Sequence, residues 1–220
     1  MFASPCGAMK YKMNDPIQQP QQVQSKSYFR IMHASPNAPD VDVYANGTMV
    51  AKNLRYKDFS SYWSAIPGNY LIEVYPTGEK TKPILSSNIP IPQGTIFNIA
   101  IIGTAPNVSL YPIPEPASGQ NFGRPCIRFI NLSPNSPAID IITPDGKNIF
   151  SNVEYKYITD YACIPAGVYT FEVRPKGSQD AAFTLSGVKL DANNYYSIYA
   201  LGLLGERPPL QAVLVIEPRS

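Results

Sequence analysis

The sequence predicts an all-β chain, two tandem immunoglobulin-like antiparallel β-sandwich domains preceded by an extended N-terminal tail. Three observations carry that expectation. Residues 28–116 recur as residues 126–218. Within each copy apolar residues alternate with a period of two between Gly, Asn and Pro turn signals, and no segment offers ten residues of helical period. The chain also holds 23 Pro and only 15% charged residues in 220, against roughly 25% charged in ordinary domains. Both shifts disfavour long helices.

An internal repeat of this length sets the whole fold. Phe29–Asp42 aligns at an offset of 98 with Ile127–Asp140, where Arg, Ser, Pro, Asn, Pro and Asp coincide. One residue is then gained. At an offset of 99, Asn53, Tyr56, Lys57, Tyr62, Gly68, Tyr70, Glu73, Val74, Pro76 and Gly78 meet Asn152, Tyr155, Lys156, Tyr161, Gly167, Tyr169, Glu172, Val173, Pro175 and Gly177. The match runs on through Ile99 and Gly103 against Ile198 and Gly202, and ends with Glu115-Pro116 against Glu217-Pro218. The chain therefore divides into a tail (1–27), repeat one (28–116), a linker of small residues (117–125) and repeat two (126–220).

The tail precedes both repeats. It contains Pro5, Pro16, Pro20 and the run Gln18-Gln19-Pro20-Gln21-Gln22, and as a whole shows neither helical nor strand period. In repeat one, Val41 and Val43 alternate with Asp42 as in a half-buried strand, and Asn46-Gly47 supplies a hairpin turn. Tyr70–Tyr75 follows a Gly turn, precedes a Pro, and reads as a further strand. Ile96–Ile102 is more continuously apolar and reads as a central core strand. In repeat two the corresponding segments are Ile139 and Ile141 around Asp140, the turn Asp145-Gly146, Tyr169–Val173 and Tyr195–Leu201. Prolines at strand ends discourage edge pairing.

The phrase His33-Ala34-Ser35-Pro36-Asn37-Ala38-Pro39-Asp40-Val41-Asp42-Val43-Tyr44, followed by the stretch Tyr62–Tyr70 (YWSAIPGNY), resembles the bacterial family of domains of unknown function numbered 4397. The likeness covers residues 28–218. Repeat two departs from the phrase, with Asn131-Leu132 in place of His33-Ala34 and Ala138 in place of Asp40. The resemblance implies a β-sandwich on secreted or cell-surface proteins and supplies no reaction.

Little catalytic chemistry is on offer. His33 is the single imidazole, and Asn131 stands at its place in the second copy, so the position calls for a hydrogen-bonding side chain rather than a base. One His with dispersed thiols makes no transition-metal site. Asp40, Asp42 and Asn37 are oxygen donors that could converge on Ca²⁺. The stronger reading makes Ser35, Pro36, Asn37 and Asp42, with Ser133, Pro134, Asn135 and Asp140, a repeated structural turn whose Asp accepts backbone N–H groups of that turn. The sequence calls for no cofactor. Cys6, Cys126 and Cys163 are the candidates for an intermolecular disulfide. An intradomain bond, two buried thiols, or a bond to Cys6 of another chain are all compatible with their positions.

A net charge of +2 leaves no footprint for nucleic acid. The longest apolar runs, such as Ile99–Ile102, fall far short of a membrane span. Residues 1–27 show no Sec-type signal. The expectation is a non-enzymatic structural protein of a bacterial extracellular or spore surface, self-associating through its tail into a filament or lattice. Its partners would be itself or other surface proteins. The alternative is a surface module binding a glycan or a protein through some of its 25 aromatic residues.

Overall fold

A computed structural model of the chain describes residues 25–116 and 123–217. Of the tail expected over residues 1–27, residues 1–24 with Cys6 lie outside the described residues, as does most of the linker, while Ser27 is buried and already opens the first strand. Every regular element described is a strand.

Repeat one contains β1 (Ser27–His33), β2 (Val41–Ala45), β3 (Thr48–Leu54), β4 (Trp63–Ala65), β5 (Gly68–Pro76), β6 (Leu85–Ile91), β7 (Ile96–Thr104) and β8 (Asn107–Glu115). Repeat two contains β9 (Cys126–Asn131), β10 (Ile139–Ile142), β11 (Asn148–Val153), β12 (Ala162–Cys163), β13 (Gly167–Pro175), β14 (Phe183–Leu190), β15 (Tyr195–Leu201) and β16 (Gln211–Ile216). In repeat one a β4-β1-β7-β8 sheet faces a β3-β2-β5-β6 sheet; in repeat two β12-β9-β15-β16 faces β11-β10-β13-β14. The two sandwiches thus have one topology. Asn46 and Gly47, both with positive φ, form the β2–β3 hairpin, as the Asn-Gly signal requires.

The sheets are not wholly antiparallel. β1 runs parallel to β7 over six pairs, Tyr28↔Ile96 to His33↔Ile101, and β9 runs parallel to β15 in the same way. Each repeat therefore starts with a strand inserted between a short edge strand and the long central one, and that arrangement needs chain from the far end of the repeat.

Burial explains why β7 and β15 read as continuous apolar runs. In β1, Phe29 and Ile31 enter the core of repeat one, whereas Met32 enters a third cluster with Ala34, Ala100, Ile102 and Ile113. That cluster is completed by Ile130, Leu132, Tyr199 and Leu201 of repeat two. The inner strands β1, β7, β9 and β15 are covered on both faces, by their own sandwich and by the other one. Strands buried on both faces lose the polar half of the alternation.

Candidate functional site

The polar side chains that the two repeats share meet in this seam. Arg30 and Arg128 occupy the same place in β1 and β9 and project from the faces opposite Phe29 and Phe129. Arg30 Nη2 donates to Glu115 at 2.6 Å and to Glu217 at 3.3 Å. Arg128 Nη2 donates to the other oxygen of Glu217 at 3.2 Å, its Nε donates to Ser197 Oγ at 2.7 Å, and its Nη1 donates to the Pro114 carbonyl at 2.7 Å. Both glutamate side chains are fully buried. Tyr62 donates to Glu115, and its ring lies under the Arg30 guanidinium, 4.8 Å from centroid to carbon. Arg128 lies over Tyr161, the equivalent ring, at 5.0 Å. Asn98 Nδ2 reaches the Tyr199 hydroxyl across the seam at 3.1 Å.

Two arginines and two glutamates balance in charge, but withdrawing them from water is costly, and only good geometry offsets it. Burial and then the neighbouring Glu217 carboxylate push Glu115 up to about 7, even though Arg30 and Tyr62 favour its charge. Burial raises the Tyr199 and Tyr62 hydroxyls far above the ordinary phenol range. The arrangement can hold two domains in one orientation. Its charged groups are enclosed, and the Tyr62 and Tyr161 rings are half-buried beside them.

The repeated turn forms as a hydrogen-bonded unit, with one reassignment. Ser35 Oγ donates to the Gly103 carbonyl at 2.7 Å, and Ser133 Oγ donates to the Gly202 carbonyl at 2.7 Å. Pro36 is buried, while Pro134 is half-buried and Asn37 is exposed. Asn135 caps the loop after β15, accepting from Leu204 N and donating to Leu204 O and Glu206. Asp42 and Asp140, expected to accept from the Ser-Pro-Asn turn, instead accept from Asn53 N and Asn152 N at 2.7 Å each. Those two asparagines have positive φ, at register shifts of β3 and β11. The aspartates therefore pin a strained bulge. Asp42 also accepts from Gly78 N, so its oxygens are committed to the backbone.

His33 is fully buried, with Nε2 2.9 Å from the Pro39 carbonyl, and burial lowers its pKa. Asn131 does the corresponding work in repeat two, donating to Ser136 Oγ and Val153 O and accepting from Ser133 N.

The cysteines require a correction. Cys126 and Cys163 were candidates for bonding another chain, but they are register partners on β9 and β12 and are bonded to each other. Repeat one places Tyr28 opposite Ser64 at the same register. The bond is therefore an addition made in repeat two alone. The partly exposed Tyr28 and Trp63 do not form one aromatic platform. Tyr28 pairs with Ser64 and Trp63 with Phe29, so their side chains leave opposite faces.

Arg30 and Arg128, like Glu115 and Glu217, align in the repeat, but the alignment alone gives them no role. The available signal was a charge of fixed sign at the same place in both copies, inside strands otherwise apolar.

A comparison with curated proteins finds no match. The family described as "Domain of unknown function (DUF4397)" matches residues 27–142 and 134–219, so nearly all of the described chain falls within it. With one sandwich topology built twice and the phrase His33–Tyr44 opening the first copy, the chain belongs to the DUF4397 family.

Proposed function

We propose that the chain is a non-enzymatic structural protein of a bacterial extracellular or spore surface that self-associates through its N-terminal tail. One observation carries the reading: the single imidazole His33 and the charged side chains that the repeats share in the seam, Arg30, Arg128, Glu115 and Glu217, together with Asp42, are buried and bonded to the chain itself. What the described residues offer outward is shape and sheet edges. The seam makes the two sandwiches a single block, and a block with an attached connector is the unit from which a filament or lattice is built. The family likeness and the tail's composition support a surface location.

Sedimentation velocity over a range of concentrations tests the reading. The full chain should show mass-action growth into larger species, and a chain beginning at Ser25 should stay a monomer. Equal monomeric behaviour of both would overturn the proposal.

A further inference from the structure

β8 and β16 are the same strand of the two repeats, each at the edge of a sheet against the inner strand β7 or β15. Their free edges differ. Glu217 N donates to Tyr195 O at 2.8 Å, and Glu217 follows directly on Ile216, which pairs with Tyr196. In an antiparallel ladder this fixes the parity: Val215 and Val213 bond to β15, while Ile216, Leu214 and Ala212 turn their N–H and C=O groups outward. In β8 the places of Leu214 and Ile216 are held by Pro112 and Pro114, paired with Ile99 and Phe97. The Pro114 carbonyl does face outward, since it accepts from Arg128. Prolines at those two places remove the donors an added strand would need.

The other edges are protected too. β6 contains Pro90 and β14 contains Lys189; β3 and β11 carry register shifts; β4 has three residues and β12 two. β16 (QAVLVI) has six residues without proline or charge, and Ile216 is 59% exposed. Among the described residues it is the long edge left competent to pair.

The tail holds a segment of matching length. Although the tail as a whole lacks a period, Met9-Lys10-Tyr11-Lys12-Met13, preceded by the small Ala8, alternates, with Met9, Tyr11 and Met13 at one parity and both lysines at the other. Gly7 and Asn14-Asp15-Pro16 punctuate it. Residues 14–24 separate it from Ser25, a tether reaching at most about 40 Å.

We propose that β16 accepts Ala8–Met13 of a second copy of this chain as an added β-strand, joining molecules head to tail. This rests on the reading that the chain self-associates through its tail, and it names both donor and acceptor. The outward N–H and C=O groups of Ala212, Leu214 and Ile216 supply the main-chain bonds, and the Met-Tyr-Met face covers Ile216. Because donor and acceptor are different surfaces, each molecule can give one strand and take one, so the contact propagates.

Light scattering on full-length chains under reductant tests this. The variants are Leu214→Pro with Ile216→Pro, which copies β8 and removes no bond to β15; Ile216→Lys, which leaves the backbone unchanged; and Tyr11→Pro in the tail. Each should fold, by circular dichroism, and weaken association by about a hundredfold. An equimolar mixture of the proline-edge and Tyr11→Pro chains should give dimers and nothing larger, since one partner can only donate and the other only accept. Loss of assembly with Tyr11→Pro, but wild-type assembly in both edge variants, would overturn the acceptor while leaving tail-driven association intact. Wild-type assembly in the Tyr11→Pro chain would overturn the donor. A wild-type chain that is monomeric at every concentration would overturn both this proposal and the reading beneath it.

Discussion

The Arg30 guanidinium lies 3.3 Å from the Glu217 carboxylate, 187 residues later in the chain, and both side chains are buried. That contact joins the first strand of repeat one to the residue following the last strand of repeat two. Glu217 also holds Arg128, so it binds one arginine from each repeat.

Removing Glu217 should therefore cost more than a surface pair. Glu217→Ala leaves two buried guanidinium groups short of a partner, a loss of about 3–5 kcal/mol. Lys189→Ala breaks a pair whose side chains are 72% and 57% exposed, and should leave the urea midpoint unchanged. Equilibrium urea unfolding of both variants checks the contrast.

Two buried groups give opposite pH dependences. Glu115 has its folded pKa raised from 4.5 to about 7, so the folded state binds the extra proton; the stability this contributes is present below 4.5 and is lost as pH rises to about 7. His33 has its folded pKa lowered from 6.5, so its contribution is present above 6.5 and is lost as pH falls. Stability curves from pH 4 to pH 8, the range set by these two groups, should lose the first component in Glu115→Gln. They should lose the second in His33→Asn, which copies Asn131 and should keep the fold.

The thiol count discriminates between the readings of the cysteines. An unreduced, denatured monomer should label at one thiol, Cys6, because Cys126 and Cys163 are bonded. Replacing both by Ala opens a loop of sequence separation 37 and should destabilise repeat two by about 4 kcal/mol.

Gly103 and Gly202 test the repeated turn. A Cβ at Gly103 would lie 2.3 Å from the Asn107 carbonyl oxygen, and one at Gly202 would lie 2.2 Å from that of Pro209. Each Gly→Ala change should cost well over the roughly 1–2 kcal/mol expected at Gly47, where φ is +78° but the space is open. Thermal unfolding of the three variants gives the ranking.

The strands, their hairpin turns and the duplication were legible because they are local patterns or self-comparisons. Val41, Asp42 and Val43 show their alternation within three residues, and Asn46-Gly47 states its own turn. The seam was not legible. Arg30 meets Glu115 and Glu217 across 85 and 187 residues, and nothing near Arg30 in sequence announces them. The parallel pairing of β1 with β7 was hidden for the same reason. For Asp42 the acceptor role was readable, but its partner was not, because Asn53 is brought to it by a bulge in β3. Cys126 and Cys163 remained ambiguous until register placed them opposite one another.

Negative-stain electron microscopy of the full chain beside a chain beginning at Ser25, each with and without reductant, tests the central claim most directly. Ordered fibres or sheets are expected from the full chain, and single two-lobed particles from the shorter one. Single particles in all four samples would contradict it.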